Sequence, residues 1–302
     1  MNRRRSSTRR LLVTTVSVVA LFPLAGCADQ PSSTAAADSV HVAELDPALH
    51  AMLPADVRRR GVLRVGTDAS YAPMSSFAPD GRTIVGAEPD LGVQLGRVLG
   101  VKVEFRNQEF TRIIPEVVGG RLDLGMSAMT DTTLREEQVD FVNYFSAGTA
   151  IVVRRGNPDG ITDIKDLCDK LVAVEDGTTQ VDLLERAQTN CGEPIKVRLF
   201  PTNSDALVQL RTGRCAAVLN DLPPAAFLVS DRRTSAQYQL ASTTQYEPGL
   251  YGVAVAQDNR SLRGAVQGAL ERLVRAGIYD DVLAKWGVQG GKIAAVTVNS
   301  GS

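Results

Sequence analysis

Apolar positions along the chain switch repeatedly between two spacings. Short runs such as VLRVGT (62–67), VKVEF (101–105) and LDLGMS (122–127) read as strands. Between them, DLGVQLGRVLG (90–100) places Leu91, Leu95, Val98 and Leu99 on one helical face, with Asp90 as the expected N-cap and Gly100 as the stop. FTRIIPEVVGG (110–120) predicts a short helix closed by Gly119 and Gly120, with Pro115 either in its first turn or kinking it. The same order then recurs: KLVAVEDGTTQ (170–180) as strand and turn, residues 181–188 as helix, IKVRLF (195–200) as strand, SDALVQLRTG (204–213) as helix and CAAVLND (215–221) as strand. GGRLDLGMSA (119–128) and TGRCAAVLND (212–221) each set Gly-Arg between a helix and an apolar strand. Strands alternating with helices at this spacing predict two similar α/β lobes built on parallel sheets.

LYGVAV (250–255) reads as one more strand, and Leu262, Val266, Leu270, Leu273 and Val274 keep helical spacing in a long amphipathic helix followed by a shorter one. With the second lobe already complete, this tail is expected back on the first. The expected division is therefore lobe 1 over residues 55–149 and 254–302, lobe 2 over 154–247, and a two-strand hinge at 150–153 and 248–253. Adjacent crossovers make a hinge, and facing lobes make a cleft.

The start of the chain changes the picture of where such a protein works. MNRRRSSTRR leads a short apolar run, LLVTTVSVVALFPLAGC, that is interrupted by Pro23 and Gly26 and is too short for a stable membrane span. It reads as a signal peptide over residues 1–27. Leu24-Ala25-Gly26-Cys27 looks like a lipobox, with diacylglycerol attached at Cys27, and Arg9-Arg10 leaves twin-arginine export open beside the general route. Residues 28–47 are small, polar and unpatterned, and residues 28–54 are expected to be a flexible tether. The expected location is the outer face of the cell membrane, anchored by lipid.

Without the five leader arginines, the 33 Lys and Arg fall to 28 against 34 Asp and Glu, a formal net charge of −6. Nothing basic remains to suggest nucleic acid as a partner. In an oxidising compartment Cys168 and Cys191, which flank one strand–helix unit, are the expected disulfide, and Cys215 reads as a small buried thiol. There is no CxxC and no His cluster, since His41 and His50 both fall in or beside the tether, so neither a metal nor a cofactor is expected.

Ligands of open α/β sheets bind beyond the carboxyl ends of the strands. Those ends carry 68–74 (DASYAPM), Phe110, 127–135, 175–180 (EDGTTQ) and Asn220-Asp221. They collect aromatic walls in Tyr71 and Phe110, hydroxyls in Thr130 and Thr179, one cation in Arg135 and one anion in Asp221. That set complements a zwitterionic amino acid. Arg135 can hold a carboxylate bidentately, which a lysine could not, and Asp221 can pair with an α-ammonium.

The chain resembles family 3 solute-binding proteins, the extracytoplasmic receptors of polar amino-acid ABC transporters. The matching segments are LRVGTDASYAPMSSF, GRLDLGMSAMTDTTLREEQVDF, DLCDKLVAVEDGTTQ, TGRCAAVLND and the closing YGVAV…KWG, from Gly61 to about Gly287. The resemblance implies a two-lobed periplasmic-binding-protein fold of type II, no enzymatic activity, a monomer and a membrane permease as partner. It also implies that Arg135 binds the ligand α-carboxylate with Thr130 and Thr179, that Asp221 takes the α-ammonium and that Tyr71 stacks on the side chain. Three departures stand out: GAEPDL (86–91) replaces the usual GFDVDL, Ala128 offers only backbone where several relatives place serine, and Cys215-Ala216-Ala217 is apolar where an aspartate is usual.

Glu175 and Asp68 also lie at strand ends. Facing the ligand, they would favour a guanidinium or ammonium; facing water or their own turn, they would leave an uncharged ligand such as glutamine. The rival reading is a dehydratase-like enzyme on the same scaffold, with Glu175 or Asp68 as its acid or base.

Overall fold

The computed structural model describes residues 42–301. The expected leader, the lipidation site Cys27 and the first part of the tether lie outside the described residues. The last part of the expected tether is not a free linker. Helix α1 (Pro47–Met52) starts on an Asp46 cap whose carboxylate accepts from the Ala48 and Leu49 amides, with Pro47 at its first position. The Asp46 amide donates to Val98 O at 2.8 Å, and Ala43 and Leu53 are buried. The tether reading missed that these few apolar residues find a partner surface on lobe 1.

Helix α2 (Ala55–Arg60) ends at Gly61 in the left-handed region and leads into β1 (Val62–Thr67). A small antiparallel sheet follows, made of β2 (Ser70–Tyr71), β3 (Ser75–Phe77) and β4 (Ile84–Val85). Helix α3 (Ala87–Leu99) begins three residues before the expected Asp90 cap. Its Ala87 and Glu88 amides donate to Pro73 O and Met74 O, so the first turn needs no side-chain cap. Pro89 falls in that first turn, where its missing N–H costs nothing. Gly86, at φ 148°, is required because a Cβ there would overlap Met74 O.

The rest of lobe 1 comprises β5 (Lys102–Asn107), α4 (Phe110–Val118), β6 (Leu124–Gly125) and α5 (Thr133–Glu136), with Pro115 in the interior of α4 rather than its first turn. Strand β7 (Val139–Arg154) then runs through both lobes. Lobe 2 holds β8 (Leu171–Glu175), α6 (Thr179–Ala187), β9 (Lys196–Phe200), α7 (Asn203–Arg211), β10 (Ala217–Asp221), α8 (Leu222–Ser230) and β11 (Tyr238–Leu240). Strand β12 (Tyr246–Ala256) returns the chain to lobe 1, where α9 (Arg260–Arg275) and α10 (Ile278–Trp286) pack on α3.

Among the described residues, nine strands join in one sheet, ordered β5-β1-β6-β12-β7-β10-β8-β9 with β11 also on β7. β1 is parallel to β5 and β6, and β8 to β9 and β10. The two long strands between the lobes are antiparallel. Val139 to Phe145 pair with β12 inside lobe 1, whereas Thr149 to Val153 pair with β10 inside lobe 2. The crossing of β7 thus lies before the expected 150–153. On β12 the register shifts between Tyr246 and Gly249, while Tyr251 and Val253 belong to the core of lobe 1.

Each lobe has its own core. Lobe 1 buries Leu91, Val98, Phe145, Tyr251, Leu262 and Tyr279, and lobe 2 buries Ile151, Leu167, Val174, Leu184 and Leu219. Full burial of each such aliphatic side chain stabilises by about 1.5–3 kcal/mol. Cys168 and Cys191 form a disulfide in lobe 2, with Cα atoms 5.5 Å apart. Cys215 is a buried free thiol whose pKa burial pushes up to about 11. Beyond α10, the terminal segment lies along β7: the Asn143 amide donates to Thr297 O at 2.9 Å and the Asn299 amide to Phe141 O at 3.1 Å.

Candidate functional site

The carboxyl ends of β1, β6, β8 and β10 converge on one narrow cavity between the lobes, with room of about 20 Å³ for water-sized groups. All nine residues singled out from the sequence line it: Asp68, Tyr71, Phe110, Ala128, Thr130 and Arg135 from lobe 1, and Glu175, Thr179 and Asp221 from lobe 2. Ser127, Thr178 and Gln180 complete the lining. They lie inside strand-end segments already picked out, but next to residues with more obvious chemistry.

Local structure aims each group. Asp68 follows β1; its Oδ1 accepts from the Ser70 amide at 2.7 Å and its own amide donates to Ser127 Oγ at 2.8 Å. The turn expected to satisfy Asp68 therefore uses only one of its oxygens. The other, Oδ2, is buried with no N–H or hydroxyl donor in the protein, and so is Glu175 Oε1, whose carboxyl group lies against that of Asp68. Both residues are buried, at 4% and 7% exposure, so neither side chain faces water. Burial, and then the neighbouring Asp68 carboxylate, push the Glu175 pKa well above the usual range.

Ala128 has φ 45°, a left-handed conformation, and its amide donates to Glu88 Oε1. Glu88 is itself buried and also accepts from Ser75 Oγ at 2.7 Å and from the Tyr144 hydroxyl. Burial raises its pKa against those three donors. The loop bearing Ser127 to Thr130 is thus held by a carboxylate from the first turn of α3, within the GAEPDL departure.

Arg135 sits on α5 behind the Thr132 cap, partly buried, with its guanidinium 5.3 Å from the Phe110 ring centroid. It donates to Thr130 O at 2.6 Å and, across the cleft, to Gly177 O at 2.9 Å. Burial lowers its pKa to about 10, with Asp182, Asp221 and Asp131 acting the other way, so it stays cationic at neutral pH. An arginine left to solvent would not show this enclosure.

Asp221 is the most heavily bonded group of the site. Its Oδ2 accepts from the Tyr251 hydroxyl at 2.7 Å and from the Tyr71 hydroxyl at 3.1 Å, and its Oδ1 accepts from Gln180 Nε2 at 2.7 Å. Burial raises its pKa to about 6; the two tyrosines and Arg135 oppose that rise. Tyr251 is a residue the sequence reading passed over as part of an apolar strand. Its signal was a tyrosine in LYGVAV, whose hydroxyl needs a partner once buried.

The profile of the bacterial extracellular solute-binding proteins, family 3, matches residues 63–289. The chain belongs to this family. Its two lobes and parallel-rich sheet form the type II periplasmic-binding-protein fold. The arginine-binding protein ArgT of Corynebacterium glutamicum is 28% identical to it over 96% of each chain. An ancestral arginine-binding protein bound to glutamine superposes with a TM-score of 0.70 at 36% identity, over 76% of this chain and 99% of that one. The ancestral amino acid-binding protein AncCDT-1, a precursor of cyclohexadienyl dehydratase, gives 0.69 at 33% identity, over 76% and 97%. Family 3 solute-binding proteins of this kind are transport receptors, and amino acids recur among the ligands of the relatives.

Proposed function

We propose that the protein is an extracytoplasmic receptor that closes on an L-amino acid with a cationic side chain, arginine foremost. It then passes that ligand to the permease of an ABC importer. Arg135, with Thr130 and the start of α6 at Thr179, takes the α-carboxylate; Asp221 takes the α-ammonium; Tyr71 and Phe110 flank the side chain. The observation that carries the cationic reading is the pair of buried carboxylate oxygens without donors, Asp68 Oδ2 and Glu175 Oε1, on opposite lobes of one cavity. A guanidinium supplies donors to both at once, and a second carboxylate in the ligand would meet like charge. The arginine-binding relatives agree with it. Closure needs contacts made only when the lobes are together, which is the part taken by Glu175, Thr179 and Asp221. Lipid on Cys27 holds the receptor at the outer membrane face.

The test is thermal unfolding of the purified protein with each of the twenty amino acids. A ligand at 100 times its Kd adds about 2.7 kcal/mol, worth several degrees at about 2–4 °C per kcal/mol. Arginine or lysine alone shifting the transition fits the proposal; glutamine shifting it as far as arginine removes the cationic part. No shift with any amino acid refutes the receptor reading and returns the dehydratase alternative, in which Glu175 is the poised acid.

A further inference from the structure

Tyr251 does not line the cavity, yet its hydroxyl donates to Asp221 Oδ2 at 2.7 Å, as short as the Gln180 bond and shorter than that of Tyr71 at 3.1 Å. Its ring is fully buried in the core of lobe 1, 5.3 Å from the Phe145 ring and 6.4 Å from that of Tyr144. The backbone on either side of it is tied to the Thr130 loop: the Asp131 amide donates to Leu250 O at 2.7 Å and the Gly252 amide to Met129 O at 3.0 Å. Asp221 ends β10 in lobe 2. The bond therefore joins the core of one lobe to the strand-end carboxylate of the other.

We infer that Tyr251 is a positioning residue of the amino-acid clamp: it holds the Asp221 carboxylate in the orientation that receives the ligand ammonium, and only when the lobes are together. This rests on the receptor reading proposed above. Tyr71 makes a similar bond but is also a cavity wall, so only Tyr251 acts purely through Asp221. The bond to a buried carboxylate is made by a group that contributes nothing else to the ligand.

Tyr251 also helps keep Asp221 charged. The other ionisable groups facing Asp221 are Tyr71 on β2, Arg135 on α5 and Glu175 on β8, with Asp68 beyond Glu175. Arg135, Gln180 and the two phenols favour the carboxylate form, whereas burial opposes it. Removing the Tyr251 hydroxyl leaves burial less opposed, so the acidic limb of ligand affinity moves to higher pH.

The experiment is calorimetric titration of wild type, Tyr251→Phe, Asp221→Asn and the double variant with L-arginine and L-glutamine from pH 5 to 8. Tyr251→Phe keeps the ring and its contacts, and its fold is checked by melting temperature. The expected loss is about 5- to 30-fold at pH 7.5, below the full value of a charged hydrogen bond because Tyr71 and Gln180 remain on the carboxylate. The acidic limb shifts upward, and the Tyr251→Phe effect falls within twofold in the Asp221→Asn background. The arginine analogue lacking the α-ammonium is affected less than arginine. A purely structural tyrosine would lower the melting temperature and leave the pH profile unmoved, and that result overturns the inference. So does Tyr251→Phe binding as tightly as wild type, with the receptor reading intact. Wild-type protein that bound neither probe would overturn the receptor reading, and this inference with it.

Discussion

Replacing Glu175 by glutamine separates charge from shape in the pair that faces Asp68. Glu175 is 7% exposed and its Oε1 has no donor in the protein, so a ligand guanidinium is its natural partner. A hydrogen bond to a charged group contributes about 1.5–3 kcal/mol net and a neutral one about 0.5–1.5. The change to glutamine therefore costs arginine about 1–2 kcal/mol, or about 5- to 30-fold in Kd at 1.4 kcal/mol per decade. Part of the wild-type affinity is spent in ionising Glu175, whose pKa burial and Asp68 hold well above the usual range. The penalty for the variant accordingly grows as pH rises, because only the wild type can gain a carboxylate. Glutamine as ligand presents an uncharged amide and should lose less than threefold. The ligand-free variant should lose less stability than wild type as pH rises, since glutamine has no buried charge to acquire. Calorimetry with both ligands at pH 6 and 8, beside thermal melts, measures all of this. An arginine affinity unchanged within threefold at pH 8, or a glutamine affinity falling as far as that of arginine, refutes the reasoning.

Arg135→Ala leaves the ligand carboxylate buried and unpaired, so binding should weaken by about 2–5 kcal/mol; a folded variant that binds within threefold of wild type removes the site assignment. The melting temperature of the ligand-free protein should be higher at pH 5 than at pH 7.5. Asp221 and Asp131 are raised to about 6 by burial, against about 3.9 in an unfolded chain. A raised folded-state value gives stability that is complete below the unfolded value and lost as pH rises through about 6. A flat or opposite trend between those pH values counts against it. Loss of the Cys168–Cys191 link, separated by 23 residues, should cost about 3 kcal/mol, read by denaturant unfolding of the paired serine variant; an unchanged midpoint would mean the cross-link adds nothing to lobe 2.

The parts of the site that sequence could reach were those fixed by topology. Parallel α/β units put ligands at strand ends, and reading DASYAPM, EDGTTQ and ND as such ends brought Asp68, Tyr71, Glu175, Thr179 and Asp221 to one cavity. What stayed hidden depends on contacts between distant segments. Tyr251 looked like one more apolar strand residue until Asp221 supplied its partner. Glu88 looked like a helix-entry substitution until Ala128, Ser75 and Tyr144 closed around it. Helix α8 was missed because LPPAAFLVS has two prolines, and both fall in the first turn, where they are tolerated. Residues 42–53 form only a six-residue helix, too short to show a period, and only lobe 1 gives Ala43 and Leu53 a place to be buried.

Strand β12 sits between β6 and β7 in the order of the sheet, yet it follows the whole of lobe 2 in the chain. Lobe 2 is a continuous insert, and its strands β8 to β11 all precede residue 241. A chain emerging amino end first can therefore finish lobe 2 while lobe 1 still has an open seam along β6. Closing that seam joins segments more than a hundred residues apart, a slow step by its contact order. The strand that closes it also carries Tyr251. The receptor consequently gains the tyrosine that steadies its clamp at the moment its first lobe is completed, and a chain interrupted before residue 246 has neither.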